Sequence, residues 1–243
     1  MKNADLFLFC GGPVIDSSVV AKPLMKVNGE ESLIKCYLQH LVSSEVLPDT
    51  VILLCDVGQK KDFDVDLLNF KFPIPIEVLE CSKNSNTFEK FLFALKSHDR
   101  KDGYAYFSYP DIFFFGDIAK PDTSDEFFND GAAITVATLS SRFPRLVVDV
   151  YSNDIKGISD HTSLMPANPL HVFGGTLYGK KETLTKLSKE FLENQTNPNP
   201  SLEYDLFFWL INQTRVKAIM LYGDWLLVDS ARDVRRLLER LLK

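Results

Sequence analysis

Apolar runs too short for anything but strands constrain this chain most. "DLFLFC" at 5–10 and "TVILLC" at 50–55 carry no polar side chain after their first residue, and "IEVL" at 76–79 and "YAYFS" at 104–108 extend the series. A strand without in-and-out alternation is covered on both faces. Between the runs the period changes. After Ser32, the apolar residues Leu33, Ile34, Tyr37, Leu38, Leu41 and Val42 recur at helical spacing, and from about Thr87 so do Phe88, Phe91, Leu92 and Leu95. Strand, helix, strand in alternation reads as a parallel sheet covered by helices.

The second half changes character. Ala132–Leu139 and Leu146–Val150 read as strands with no helix between them, which implies a small antiparallel element. Helices are expected near Lys181–Asn194 and Glu203–Asn212, separated by "NQTNPNPS". Val216–Met220 and Trp225–Val228 read as two short strands. Ala231–Leu242 closes the chain as an amphipathic helix with Val234, Leu237, Leu238, Leu241 and Leu242 inward. "DFDVD" at 62–66 falls in a polar connection. No linker or repeat interrupts the 243 residues, so the expectation is a single domain over 1–243, with halves 1–130 and 131–243.

Charge narrows the function. With 27 basic and 33 acidic residues the net charge is −6, unsuited to a binder that works by neutralising nucleic-acid phosphates. Cys10, Cys36, Cys55 and Cys81 form no C-x-x-C pair and lie in or beside apolar segments, as buried free thiols do. The four histidines have no metal-ligand spacing. No run approaches a membrane span or a signal peptide, so the expected location is the cytoplasm, with no membrane and no nucleic-acid partner.

In an open parallel sheet, ligands bind beyond the carboxyl ends of the strands. Gly11 and Gly12 follow the first strand, where backbone N–H groups can approach an anion, and Lys22 adds a point charge. Asp111 follows the fourth strand in "FSYPDIFFFGDI". It reads either as a carboxylate for Mg²⁺ or as a turn aspartate. Asp229, in "GDWLLVDSARDV", reads as a second carboxylate or as an N-cap shared with Ser230.

The order of these segments resembles that of the sugar-phosphate and small-alcohol-phosphate nucleotidylyltransferases. "FCGGPVIDSSVVAKPLMKVNGEESLIKCYLQHL" resembles the family's nucleotide-binding opening, and "YFSYPDIFFFGDI" its metal-bearing strand end. "FGGTLYGKKETL" and "SLEYDLFFWLI" are similar to its acceptor side, and "GDWLLVDSARDVRRL" to its closing segment. The likeness runs the length of the chain. It implies an α/β, Rossmann-like three-layer α/β/α fold with a mostly parallel mixed central sheet and a small antiparallel element. Residues 1–130 would form the nucleotide-binding half, and 131–243 the acceptor-binding half with the closing helix.

The implied reaction joins an NTP to a phosphorylated small molecule, a sugar phosphate or a phosphocholine- or phosphonate-like acceptor, and releases pyrophosphate. Lys22 and Asp111 would be catalytic, and Gly11, Gly12 and Lys22 would bind nucleotide. Asp111 and Asp229 would hold Mg²⁺, while Gly175, Glu203 and Asp205 would line the acceptor side. "VDSARD" leans slightly towards CTP, and a homo-oligomer is left open.

Three positions depart from the family pattern. The loop arginine that grips pyrophosphate is missing, and Asp16 stands near its place. Leu227 replaces the first carboxylate of the closing segment, and "SDHTSLMP" lacks the family's Glu-Lys-Pro. Two alternatives therefore stand beside the enzyme: a homologue that binds nucleotide or a partner without turnover, and a glycosyltransferase on the same fold.

Overall fold

The computed structural model describes residues 4–11, 21–43, 47–83, 85–97, 103–118, 126–138, 145–149, 152–159 and 171–242. Its strands are β1 (Ala4–Phe9), β2 (Thr50–Asp56), β3 (Ile76–Cys81), β4 (Tyr104–Ser108), β5 (Ile112–Ile118), β6 (Ala132–Thr138), β7 (Arg145–Val148), β8 (Ile155–Ser159), β9 (His171–Lys180) and β10 (Val216–Leu227). Its helices are α1 (Leu33–Val42), α2 (Lys60–Leu67), α3 (Thr87–Ser97), α4 (Lys181–Asn194), α5 (Phe207–Asn212) and α6 (Ala231–Leu241). This is an α/β chain with a mostly parallel mixed sheet and a small antiparallel element, β7–β8. Two compact units compose it. One holds Met1–Asn86, Phe107–Phe113 and Leu226–Lys243, the other Thr87–Tyr106 and Phe114–Trp225.

In the first unit β1, β2 and β3 pair in parallel, with Leu6 opposite Val51 and Val51 opposite Ile76. All six residues of β1 and the run Val51–Cys55 are buried, as strands covered on both faces must be. Phe7 stacks on Phe107 with ring centroids 4.9 Å apart. Leu33, Ile34 and Leu38 of α1, Phe63 of α2 and Leu237 of α6 complete this core. Ser32 caps α1 by accepting the N–H of Lys35. All four cysteines are buried here outside any disulfide, and burial pushes the Cys36 and Cys55 thiols up to about 11 and about 12.

In the second unit β6 runs parallel to β10 and antiparallel to β9, whose start also pairs with β7. Tyr178 of β9 stacks between Tyr104 and Tyr106, at 5.0 and 4.5 Å, and meets Phe128 edge-on. Phe88 of α3 meets Phe191 of α4 edge to face, 5.4 Å apart.

Several expectations are corrected. The polar stretch around "DFDVD" is a helix, α2, held by the single buried side chain Phe63. Val216–Met220 and Trp225–Val228 belong to one continuous strand, β10. Leu241 and Leu242 are exposed rather than inward, which leaves Leu237 as the buried leucine of α6. β5, β8 and β9 had no counterpart in the sequence reading.

Continuity of β10 through "LYGDW" depends on a close crossing with β5, its neighbour. A Cβ on Gly223 would stand 2.4 Å from the Phe115 carbonyl oxygen, and one on Gly116 would stand 2.4 Å from that of Tyr222. Both obstacles are backbone, which cannot swing aside. Gly116→Ala and Gly223→Ala should each destabilise the protein by about 2 kcal/mol, read as a lower urea midpoint at unchanged m-value. Full stability in both variants would refute the close approach.

Candidate functional site

Three segments of the first unit carry the site. β1 ends at Phe9, and the Cys10 N–H bonds the Leu54 carbonyl at 2.9 Å, fixing the strand end where Gly11 follows. Gly12 and Asp16 lie outside the described residues. Described chain resumes at buried Ala21, and Lys22–Leu24 form one 3₁₀ turn with Pro23 in its first positions and Pro23 and Leu24 buried. Proline suits a helical start, because its fixed φ costs nothing there and its missing N–H has no use. With both neighbours buried, the Lys22 stem is the part of this segment that reaches outward.

Asp111 sits in the turn between β4 and β5. Phe113 beyond it is fully buried against the rings of Tyr37 and His40, each 5.7 Å away, and Tyr109 before it packs on Phe9 at 5.2 Å. These aromatics, ambiguous in sequence, anchor the turn from both sides. The Asp111 carbonyl then accepts the Val228 N–H at 2.8 Å. That bond sets the next residue, Asp229, beside Asp111 by main-chain geometry alone. Capping of α6 falls to Ser230, whose hydroxyl accepts the Asp233 N–H while Asp233 receives the Ser230 hydroxyl and the Asp229 N–H. The Asp229 carboxylate is thereby released from the capping role that its position admitted.

The two carboxylates converge on one nitrogen. Lys22 Nζ donates to Asp111 Oδ2 and to Asp229 Oδ1, each at 2.5 Å, so the two oxygens are at most twice that distance apart. All three side chains are partly buried, with Asp229 the most open at 34% exposure. Burial presses Lys22 towards losing its proton, but Asp111 and Asp229 outweigh it and hold the ammonium pKa above its usual value. At Asp111, burial together with the charge of Asp229 outweighs the pull of Lys22 and lifts the carboxyl above the usual range. Asp111 and Asp229 thus share the ammonium of Lys22.

The paired acids define what the site can hold. Mg²⁺ takes oxygen ligands at about 2.1 Å, commonly from one or two carboxylates plus phosphate oxygens and water. Asp111 and Asp229, already gathered on a single cation, fit that role with a small closure. Among the described residues no group of three or more His, Cys, Asp or Glu side chains is arranged for a metal, so an all-protein cage of the zinc type is not seen there.

Asp66 was passed over in the sequence as part of a polar connection. On α2 it accepts Lys26 Nζ at 2.8 Å and the Ser32 hydroxyl at 2.5 Å, with Lys35 Nζ 3.5 Å away. Lys26 and Ser32 also form a β-bridge, and the Leu33 N–H bonds the Met25 carbonyl. Asp66 thus ties the segment following Lys22 to the start of α1. The heptapeptide "KKDFDVD" gives no sign of this, since the partners are distant in sequence.

Gly175, Glu203 and Asp205 all belong to the second unit. Gly175 adopts φ +101° within β9, where the register with β6 shifts, so an L side chain there would be strained. Trp225 Nε1 bonds the adjacent Gly174 carbonyl at 3.0 Å. Glu203 accepts the Thr87 hydroxyl at 3.1 Å, on a turn of π-helix over Leu202–Leu206 that leads into α5. Asp205 accepts the Ser201 N–H and hydroxyl at 2.7 and 2.8 Å and so fixes the start of that turn.

No family model and no curated protein sequence matches this chain. Solved structures do match it in shape. An inositol-1-phosphate CTP transferase from T. maritima aligns with a TM-score of 0.72 at 15% identity, over 98% of this chain and 96% of its own. A UTP-bound UGPase from Acinetobacter baumannii gives 0.68 at 14% identity, over 99% and 93%. HddC from Yersinia pseudotuberculosis gives 0.67 at 14% identity, over 98% and 99%. The chain shares the fold of these structures. Within that fold, Lys22, Asp111 and Asp229 are the sequence-derived candidates that meet at one point.

Asp66 and Ser230 should be felt in stability. Asp66→Asn strips two lysines of their counter-charge and should cost about 1–3 kcal/mol in urea denaturation, while Ser230→Ala should cost about 1 kcal/mol. Burial opposes ionisation of Asp66, but Lys26, Ser32 and Lys35 prevail and hold its pKa below the usual range. Its stabilisation is therefore present above the unfolded aspartate pKa and is lost as pH falls through the depressed folded value. That part of the acid-side loss should be missing from the pH profile of Asp66→Asn.

Proposed function

We propose that this chain is a Mg²⁺-dependent nucleotidylyltransferase, joining an NTP to a phosphorylated small molecule with release of pyrophosphate. The carrying observation is the convergence of Asp111 and Asp229 on Lys22 Nζ in the unit that also holds Gly11. In this reading an oxygen of the acceptor phosphate attacks the α-phosphorus. The bond from that phosphorus to the bridging oxygen breaks, and pyrophosphate departs with the electron pair. A phosphate monoester is largely dianionic at neutral pH, so the attacking oxygen needs no general base. What the reaction needs is two anions held in line and the growing negative charge on the leaving group met.

Lys22 supplies one positive charge towards the phosphates, and the buried turn of Pro23 and Leu24 fixes the base of its stem. Asp111 and Asp229 would hold Mg²⁺, which when bound supplies the charge that neutralises the phosphate oxygens. Gly11 and, by sequence, Gly12 are the candidates for close backbone approach to the nucleotide. Gly175, Glu203 and Asp205 are candidates for contact with the acceptor. CTP is the favoured nucleotide, from the closing segment "VDSARD" and from the CTP transferase among the structural neighbours. That neighbour also supports a polyol or sugar phosphate as acceptor.

A second reading is nucleotide binding without turnover. Asp16 stands where the family's pyrophosphate-gripping arginine is expected, and Leu227 where a carboxylate is expected. One experiment separates the two. Purified protein with Mg²⁺, each common NTP and a panel of sugar, polyol and aminoalcohol phosphates should release pyrophosphate with at least one pair. Asp111→Asn should reduce that release by about 10²–10³-fold. Nucleotide binding by calorimetry with no release from any pair would overturn the enzyme reading and support the second.

A further inference from the structure

We infer that Lys22 is an intramolecular counter-ion that a divalent cation must displace in order to enter the site. This rests on the reading of Asp111 and Asp229 as cation ligands, and adds a function for Lys22 before any phosphate arrives. Lys22 Nζ lies 2.5 Å from one oxygen of each carboxylate, which is where a bridging cation would also have to stand. An ammonium and a metal ion cannot share that point. The cluster shown is the one with the acids paired through Lys22; with the cation held by Asp111 and Asp229, Lys22 would have to turn away.

The chemistry of the stem makes the exchange feasible. Lysine carries its charge on four flexible carbons, so Nζ can move while the backbone stays fixed in its buried turn. Tethering gives the ammonium an effective concentration of at least about millimolar at the carboxylates, so a weakly held Mg²⁺ competes on unequal terms until Lys22 finds another partner. A triphosphate is such a partner. The same lysine thus offsets part of the charge of two facing carboxylates without metal, and becomes available for phosphate in the step that admits the cation. Apparent cation affinity is the intrinsic affinity multiplied by the fraction of molecules in which Lys22 has left the cluster.

Mn²⁺ without nucleotide is the probe, followed by electron paramagnetic resonance on wild type, Lys22→Met and Asp111→Asn. Lys22→Met should bind Mn²⁺ about tenfold more tightly than wild type, and Asp111→Asn should lose binding. In wild-type protein, acetic anhydride labelling of Lys22, read by peptide mass spectrometry, should accelerate about tenfold at saturating Mn²⁺ as the amine leaves its two carboxylates. That second arm needs no variant to fold. Equal or weaker Mn²⁺ binding by folded Lys22→Met, or Lys22 labelling unmoved at saturation, would overturn the displacement while leaving Asp111 and Asp229 as ligands. Absence of Mn²⁺ binding in both wild type and Lys22→Met would overturn the displacement and the metal reading together.

Discussion

The hydrogen bond from the Val228 N–H to the Asp111 carbonyl is the constraint on which the site depends. Two carboxylates borne by segments far apart in the chain repel each other and would not meet unaided. A main-chain bond one residue from Asp229 and at Asp111 itself settles their distance before either side chain chooses a rotamer. Lys22 then makes the arrangement affordable by lying between them. Ser230 and Asp233 complete it, since a capping pair at the next positions keeps Asp229 from being drawn into the end of α6.

Much of this was legible because the strands announce where they stop. Gly11, Asp111 and Asp229 stand at the ends of apolar runs, and Lys22 precedes a proline that marks a turn. What hid was any element whose signal is spread across partners. α2 buries only Phe63, so its sequence looks like a polar link, and Asp66 shows its importance only once Lys26, Ser32 and Lys35 stand beside it. β10 read as two strands, with Gly223 in the gap between them. That residue lets the strand pass β5 at close quarters. β9 was lost for a related reason: Gly174 and Gly175 interrupt its pattern at a bulge against β6.

The fold and the chemistry are unequally determined. At 14–15% identity the solved structures share a shape with this chain over nearly its full length, and a shape of this kind can carry many reactions. What points to phosphate chemistry is a pair of carboxylates gathered on one lysine beyond a strand end. Asp16 and Leu227 pull the other way by sequence alone, an acid where the resemblance expects an arginine and a leucine where it expects a carboxylate. The balance lies in how the surviving acids are used rather than in how many there are.

Cys10, Cys36, Cys55 and Cys81 all belong to the unit that carries Lys22, Asp111 and Asp229, and the other unit has none. Each is shut away from solvent, and for Cys36 and Cys55 burial further suppresses the reactive thiolate. A thiol reagent added in mild denaturant therefore times the opening of one half of the molecule and is blind to the other. The unit that carries the candidate site thus holds its own set of silent reporters, with no engineered label required.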